Sequence, residues 1–264
     1  MGKKTDETKE PKLKIRYNTK NKIIGLSTNE KKRELDLLIE ANSLDTAFDK
    51  NNNTIVLLTA DNAKKIEDAI KKDNNYFPFA NIIYKYYENL VGCEGIKENK
   101  DNSLFAIIRE IDRDNSTNVW RYKKNRKSFN EMIEYITDSK NDFWIRLEQG
   151  DEKLPDDICK KCGSGLKSLS SKVCKYLCEY ANFGDNYYIN DSFIRAMLLF
   201  YLDAYDVNHE KLNTIHSVST KSYEELYYWL DQLHQARDKK HDDEIKKSEL
   251  DHIMWYCYKS FEIS

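Results

Sequence analysis

Apolar residues recur along this chain at intervals of three and four positions, which is the spacing that places side chains on one face of an α-helix. The clearest stripe consists of Phe193, Ile194, Met197, Leu198 and Tyr201. Ser-x-x-Glu sequences precede several such patterns, and a capping box of this form is typical of a helix N-terminus. They are Ser27 to Glu30, Ser128 to Glu131 and Ser222 to Glu225. The sequence therefore predicts an all-α fold with about ten helices.

The segment from Thr54 to Thr59 is an exception, because it is a short run of β-branched and apolar residues. We interpret it as a lone short strand or a buried extended linker, so that the fold contains at most one isolated strand. Residues 1–20 are mostly charged or polar and cannot bury enough apolar surface to fold. The predicted organisation is a disordered charged tail (1–20), an N-terminal helical part (21–150) and a C-terminal helical part (151–264).

The chain has 264 residues and a net charge of −2, so it is long enough to bury a core, and its overall charge does not favour DNA binding. The stretch from Lys153 to Lys175 is locally basic, with six lysines against Asp156 and Asp157. A phosphate contact in this stretch would weaken as salt is added. A solvated helix face gives the same pattern, and the charge alone does not separate these two interpretations.

The first residues, Met1 to Glu7, include two lysines and no apolar segment of the kind that a secretory signal peptide needs. No apolar run in the sequence approaches the roughly 18 residues of a membrane-spanning helix. We therefore expect a cytoplasmic protein without a membrane partner.

Six cysteines occur, at positions 93, 159, 162, 174, 178 and 257. In a cytosolic protein, reduced thiols are more common than disulfides. Cys159 and Cys162, followed by Cys174 and Cys178, could supply four thiolates to a zinc ion. Cys174 and Cys178 also lie four positions apart in a helical pattern, where buried cysteines pack as small apolar residues. We expect the packing role, with no metal and no cofactor, and metal binding stays open as the alternative.

The stretch from Gly163 to Tyr201 contains a Gly- and Ser-rich loop, a helical pattern with Lys172, a turn, and a second helical pattern that begins after Asp191. Lys172 and Asp191 lie nineteen positions apart. Taken alone, a lysine early in a helix is usually a surface residue, and an aspartate before Ser-Phe-Ile is usually an N-cap. Because Lys172 and Asp191 are two ionisable groups in one short stretch, this stretch is the first candidate for a reactive site.

This stretch resembles the catalytic core of helix-hairpin-helix DNA glycosylases, most closely the small bacterial 8-oxoguanine DNA glycosylase-like group. In that family a Gly-x-Gly-x-Lys hairpin supplies a lysine nucleophile, and an aspartate follows in a Pro-Val-Asp-like segment. Ser168 to Lys172 stands at the hairpin position, Ile189 to Ser192 at the aspartate position, and Leu250 to Lys259 resembles the closing helix. The resemblance covers residues 154–264 and includes the spacing between the lysine and the aspartate.

The chain departs from the family pattern in the hairpin and before the aspartate. Ser168 and Ser170 stand where the family has glycine, and Gly163 and Gly165 lie upstream. An Ile-Asn pair replaces the proline-containing segment before Asp191. These departures affect the expected grip on DNA phosphate more than they affect the chemistry.

The resemblance implies a DNA glycosylase, with AP lyase activity, that excises a damaged or modified purine such as 8-oxoguanine from double-stranded DNA. Lys172 would attack C1′ and form a Schiff base, and Asp191 would stabilise the positive charge that builds on the sugar. The lysine must be neutral to attack, and burial or a neighbouring cation such as Lys175 would favour the neutral form. The residues expected at DNA phosphates are Gly163, Gly165, Lys167, Ser168, Ser170, Ser171 and Lys175.

Other interpretations remain open. The same hairpin could belong to a catalytically inactive DNA-binding or interaction module, for example in bacterial anti-phage defence. Arg237 to His241 is similar to the Arg-to-His spacing of small ribonuclease domains, but it is one residue short and lies in a charge run, residues 237–247, that we interpret as exposed. Aromatic residues from Tyr76 to Tyr87 could stack on unpaired bases, but core packing is the better interpretation for most of them.

Overall fold

The computed structural model describes residues 14–16, 23–25, 43–48, 54–72, 97–114, 119, 125–209 and 222–262. Within these ranges the chain is mainly helical, which confirms the all-α prediction. The predicted capping box at Ser27, the aromatic stretch from Tyr76 to Tyr87, and Cys93 lie outside the described residues. In the described ranges, no helix is both long enough and apolar enough to cross a membrane.

Nine α-helices occur in the described ranges: α1 (Ala60–Lys72), α2 (Lys97–Asp114), α3 (Arg126–Thr137), α4 (Phe143–Glu148), α5 (Leu154–Cys162), α6 (Lys167–Tyr180), α7 (Ser192–Ala204), α8 (Tyr223–Asp238) and α9 (Lys247–Glu262). Short 3₁₀ turns at Ser139–Asn141 and Ser164–Leu166 precede α4 and α6. The apolar stripe predicted from the sequence lies along α7, where Met197, Leu198 and Tyr201 are buried.

The prediction of at most one isolated strand was wrong, because four short strands form two antiparallel hairpins. β1 (Lys14–Arg16) pairs with β2 (Ile23–Gly25), and β3 (Thr46–Phe48) pairs with β4 (Thr54–Val56). The β-branched segment from Thr54 thus begins with a strand, as its composition indicates. Its pairing with β3 gives hydrogen-bond partners to backbone groups that a lone strand would leave without them. β1 lies within the segment predicted as a disordered tail, and the other residues of 1–20 are outside the described ranges.

Two clusters of buried apolar side chains form the core. The first joins β4 and α1 to α7, α8 and α9, with Ile66 and Ile253 among its members. The second joins the five helices from α2 to α6, with Phe129 and Leu177 among its members. An N-terminal segment therefore packs with the last three helices, while the middle of the chain builds the other core. The domain boundary predicted at residue 150 falls within the second cluster, between α4 and α5.

Two of the three predicted capping boxes, at Ser222 and at Ser128, lie within the described residues. At α8, Ser222 Oγ accepts a hydrogen bond from the backbone N–H of Glu225 at 3.1 Å, which confirms Ser222 as the N-cap residue. The box predicted at Ser128 was wrong, since α3 begins at Arg126 and places Ser128 inside the helix. A capping residue lies outside the helix, so a helix that begins three residues earlier than predicted removes this role from Ser128.

Arg237 contradicts the prediction that the whole charge run is exposed, because its side chain is fully buried. Its Nε donates to the carbonyl oxygen of Leu58 at 2.7 Å, and another guanidinium nitrogen donates to the Asp243 carboxylate. Asp243 also accepts a hydrogen bond from the backbone N–H of Ala60, at the start of α1, at 2.6 Å. Arg237 thus ties α8 to the connection between β4 and α1. A guanidinium held inside the fold argues against the ribonuclease-like interpretation.

We expect Arg237→Met to lower the free energy of unfolding by about 2–4 kcal/mol, because it leaves the buried Leu58 carbonyl and the Asp243 carboxylate without their donors. Urea denaturation followed by circular dichroism measures this change. Arg109→Met, at an exposed position of α2, is the matched control and should change stability by less than about 0.5 kcal/mol. Equal effects of the two substitutions would show that Arg237 does not anchor α8.

Candidate active site

A glycine-containing turn between two packed helices positions the predicted nucleophile. α5 ends at Cys162, and Gly163 follows with a φ of +123°, a conformation that L side chains rarely adopt. The 3₁₀ turn Ser164–Leu166 then leads into α6, which packs against α5. A Cβ atom at Gly165 would meet no atom within 4 Å, so the space around position 165 does not require glycine. The turn therefore depends on Gly163.

Lys172 lies in the second turn of α6, Asp191 is the N-cap residue of α7, and the fold brings their side chains together. Lys172 Nζ lies 3.6 Å from Asp191 Oδ2, and the two side chains are only 5% and 11% exposed. Asp191 Oδ1 accepts hydrogen bonds from the backbone N–H groups of Phe193 at 2.9 Å and Ile194 at 3.0 Å. One carboxylate oxygen therefore caps α7 while the other faces the lysine.

A hydrogen bond between Asn190 and Ser171 holds the Asp191 segment against α6. The backbone N–H of Asn190 donates to Ser171 Oγ at 2.9 Å, and this hydroxyl donates in turn to the carbonyl oxygen of Ser168 at 3.1 Å. The serine beside the lysine is thus bonded to the residue beside the aspartate. This link limits how far Lys172 and Asp191 can separate.

The residues predicted at DNA phosphates fall into two groups. Four of them are at least partly exposed: Gly163, Gly165, Lys167 and Ser168. The other three are buried: Ser170, Ser171 and Lys175. Ser170 Oγ lies 3.1 Å from the Lys167 carbonyl oxygen and 3.1 Å from Cys159 Sγ, so it points into the fold. The stretch from Ser168 to Ser171 belongs to α6 rather than to a turn, and this helical geometry withdraws the three buried residues from DNA.

Lys175 is a buried cation with carboxylate partners of its own. Its Nζ lies 3.1 Å from Asp185 Oδ1 and 3.4 Å from Glu179 Oε1, and its side chain is 2% exposed. Burial alone would lower the pKa of Lys175, but the charges of Glu179 and Asp185 outweigh burial and raise it. The positive charge that the sequence predicted beside Lys172 is therefore present, and these two carboxylates balance it.

A third carboxyl group lies near the Lys172–Asp191 pair, and the sequence analysis did not select it. Asp251 of α9 is 5% exposed, and its Oδ1 has no hydrogen-bond partner among the described residues. Burial, and then the negative charge of Asp191, raises the pKa of Asp251 to about 8 against the opposing charges of Lys175 and Lys172. Asp251 is therefore mainly protonated at neutral pH. The sequence feature that could have identified Asp251 is the presence of an acidic residue within the apolar pattern of the closing helix.

The four cysteines of α5 and α6 are free and buried: Cys159, Cys162, Cys174 and Cys178. Burial raises the pKa of these thiols, to about 11 for Cys159 and to about 12 for Cys162, so they are protonated near neutral pH. Across the described ranges, no group of three or more His, Cys, Asp or Glu side chains has an arrangement that could hold a metal ion. The four side chains belong to the second apolar core.

A cleft of about 560 Å³ lies beside the turn rather than at the Lys172–Asp191 pair. Its walls include Lys153, Lys160 and Lys167, opposed by Asp156 and Glu224. The cleft is therefore mildly basic and lies at the end of α6 that begins with Lys167. The cleft is part of the surface around the turn, and neither Lys172 nor Asp191 is among the residues that line it.

Comparison of the chain with protein-family models, with curated proteins and with solved structures finds no match. The geometry of the Lys172–Asp191 pair and the sequence resemblance are therefore the features from which a function can be inferred.

Asp251→Asn should stabilise the protein increasingly as the pH rises from about 5 to about 7. The pKa of Asp251 is about 8 in the folded state, and a free aspartate in the unfolded chain has a pKa of about 3.9. The stability that this raised pKa provides is fully present below the unfolded value and is lost as the pH rises toward the folded value. The stability difference between variant and wild type should grow by about 1.4 kcal/mol per pH unit in this window.

Urea denaturation of the two proteins at several pH values measures this slope. Asp242→Asn replaces an exposed carboxylate in the charge run and is the control, for which we expect a difference that does not change with pH. A pH-independent difference for Asp251→Asn would mean that Asp251 is ionised in the folded protein.

Proposed function

We propose that this protein is a DNA glycosylase with AP lyase activity that excises a damaged or modified purine, such as 8-oxoguanine, from double-stranded DNA. The observation that carries the proposal is the 3.6 Å contact between Lys172 Nζ and Asp191 Oδ2. These are the two positions at which the sequence resembles the helix-hairpin-helix glycosylases. An amine and a carboxylate held side by side suit nucleophilic attack on a sugar carbon that develops positive charge.

In the proposed reaction, the neutral amine of Lys172 attacks C1′ of the damaged nucleotide. The N-glycosidic bond breaks, its electron pair leaves with the base, and the base takes up a proton. The new bond between nitrogen and C1′ becomes a Schiff base when the sugar ring opens and the nitrogen gives up a proton. Loss of a proton from C2′ then expels the 3′ phosphate by β-elimination, which cuts the strand.

Asp191 has two functions in this scheme. Its Oδ2 lies beside the amine and stabilises the positive charge that develops on the sugar as the base departs. Its Oδ1 is fixed by the backbone N–H groups of Phe193 and Ile194, so the carboxylate keeps its orientation at the start of α7. A carboxamide at this position would keep the capping oxygen and lose the charge, which makes Asp191→Asn a specific test of the electrostatic role.

The burial of Lys172 determines how the substrate must approach. C1′ has to come within about 3–3.5 Å of Nζ, which requires the target nucleotide to leave the base stack and enter the site. The exposed part of the turn, with Gly165 and Lys167, is the available contact for the DNA backbone next to α6. Contacts of this kind with phosphates weaken as salt is added.

A second candidate function is a catalytically inactive DNA-binding or interaction module, for example in bacterial anti-phage defence. The observation that favours it is the burial of the pair, with side chains 5% and 11% exposed. A buried ion pair that fixes the contact between α6 and α7 has a structural role without any chemistry. In that case the loss of either charge would affect folding stability, and neither charge would take part in a reaction.

Borohydride trapping on a duplex with 8-oxoguanine opposite cytosine distinguishes the two functions. The wild type should give a covalent protein–DNA adduct, because borohydride reduces the Schiff base. Lys172→Ala should abolish the adduct, because no amine remains to attack C1′. Asp191→Asn should reduce the rate of trapping by about 10²–10³-fold, since it removes the charge that stabilises the transition state.

Lys127→Gln, at an exposed position of α3, is the control for the loss of a lysine and should trap as the wild type does. Circular dichroism and thermal melting establish that each variant is folded before its activity is compared. If folded wild-type protein gives neither an adduct nor strand breaks across a panel of modified bases, the glycosylase proposal is wrong and the binding-module function takes its place.

A further inference from the structure

We infer that Tyr223 of α8 is a positioning residue of the proposed site. Its hydroxyl group holds the backbone segment that leads into Asp191, and it thereby keeps the Asp191 carboxylate beside Lys172. This inference rests on the proposed function, because it concerns how the proposed reactive pair is kept in its geometry. Tyr223 acts through the backbone of Tyr188 and through Asp191.

The segment from Tyr187 to Asp191 is buried although it belongs to no helix or strand. A buried backbone needs hydrogen-bond partners for its N–H and C=O groups, and regular secondary structure does not supply them in this segment. Two side chains of α6 supply some of them, and the first is Lys175, whose Nζ donates to the Tyr187 carbonyl oxygen at 3.4 Å. The second is Ser171, whose Oγ accepts from the backbone N–H of Asn190 at 2.9 Å. The position of the segment therefore depends on contacts with side chains.

Tyr223 supplies the partners of Tyr188 in this segment. The Tyr223 hydroxyl accepts a hydrogen bond from the backbone N–H of Tyr188 at 3.0 Å and donates to the carbonyl oxygen of the same residue at 2.9 Å. Both residues are only 1% exposed, so bulk water cannot take over these bonds while the fold stays as it is. A single hydroxyl group thus satisfies both backbone groups of a residue that lies three positions before Asp191.

The start of α8 fixes Tyr223 with respect to the second core. The backbone N–H of Tyr223 donates to Asp156 Oδ2 at 2.6 Å. Asp156 belongs to α5, which packs against α6, the helix that carries Lys172. Tyr223 itself lies in the second core, whereas Tyr188 lies in the first. Their contact therefore links the core that contains α6 to the core whose helix α7 begins after Asp191.

The distance between Lys172 and Asp191 depends on how these two cores meet. Without the Tyr223 hydroxyl, the N–H and C=O groups of Tyr188 would be buried without these partners, which costs free energy unless the segment moves or admits water. Either change displaces the chain just before Asp191, while α6 keeps Lys172 in place. A displacement of about 1 Å can slow an enzymatic reaction by about 10²-fold, so a small shift is sufficient to affect the proposed chemistry.

A Tyr223 that only stabilises the fold makes a different prediction. Tyr223→Phe keeps the aromatic ring and removes the hydroxyl group. Tyr205→Phe is the matched control, because the Tyr205 hydroxyl also accepts a hydrogen bond from a buried backbone N–H, that of Leu58, at 2.9 Å, and lies at the opposite end of α7 from Asp191. Both variants should lose stability, which thermal melting measures. If Tyr223 had only this structural role, the two variants would have the same activity.

We expect Tyr223→Phe to lower the maximal rate of borohydride trapping on the 8-oxoguanine duplex by about 10–10²-fold, at a temperature where both variants are folded. The DNA concentration that gives half of the maximal rate should not change, because Tyr223 is buried and its hydroxyl is bonded to Tyr188. Tyr205→Phe should keep both wild-type values. Equal maximal rates for the two folded variants would overturn the inference.

A second measurement needs neither DNA nor activity. The backbone amides of Asn190 and Phe193, on either side of Asp191, are hydrogen-bonded, and hydrogen exchange followed by NMR reports how often these bonds open. In Tyr223→Phe these two amides should exchange about tenfold faster than in Tyr205→Phe, because the segment before Asp191 has lost one of its contacts. The amides of α3 should exchange alike in both variants.

Asp156→Ala is a second variant that acts on the same contact. It removes the carboxylate that accepts from the Tyr223 N–H and leaves the Tyr223 hydroxyl in place. The amides of Asn190 and Phe193 should again exchange faster than in wild type, by a smaller factor. This variant carries the test if Tyr223→Phe does not fold, and unchanged exchange at both amides would then overturn the inference.

The outcomes separate this inference from the proposed function. If the wild type traps no DNA but the exchange of the amides beside Asp191 depends on Tyr223, the glycosylase proposal fails and the positioning of Asp191 by Tyr223 stands. If the wild type traps DNA and neither the maximal rate nor the exchange distinguishes Tyr223→Phe from Tyr205→Phe, the inference is wrong and the glycosylase proposal stands.

Discussion

The carboxylate of Asp191 connects the two cores of this protein. Its Oδ1 caps α7, which belongs to the first core, and its Oδ2 pairs with Lys172 of α6, which belongs to the second. The Asp191 carboxylate accepts two backbone N–H groups at the start of α7, where the helix dipole favours a negative charge. The candidate site exists because the two cores meet here, and the hydrogen bond between Asn190 and Ser171 strengthens the same contact.

The buried charges at this junction are balanced by pairing and by protonation. Lys175 is neutralised by Asp185 and Glu179, which offsets the cost of burying an ammonium group. Among the residues that the structure describes, Asp251 has no comparable partner for its Oδ1, and protonation is the more favourable solution for a carboxyl group in such surroundings. The same limited access to water that makes a lysine reactive also makes the charge state of each neighbour important for the others.

Local sequence patterns predicted the elements that carry Lys172 and Asp191, because a helical stripe and an N-cap are properties of neighbouring residues. Lys172 and Asp191 were identified in this way, and their contact followed from the resemblance. Arg237 and Asp251 were missed, since their burial depends on packing between elements that are far apart in sequence. The wrong capping box at Ser128 has a more local cause, because three extra residues at the start of α3 make Asn125 the N-cap residue instead of Ser128.

The serines that replace the hairpin glycines show how the fold changes the meaning of a motif. Ser168 to Ser171 lie within α6, which begins at Lys167, so the turn itself is formed five residues earlier, at Gly163 to Leu166. Backbone N–H groups beyond the first turn of a helix are engaged with carbonyl groups of the preceding turn and cannot bind phosphate. Any contact of this region with a phosphate must therefore use the start of α6 and the turn before it, while Ser171 holds the segment before Asp191 against α6.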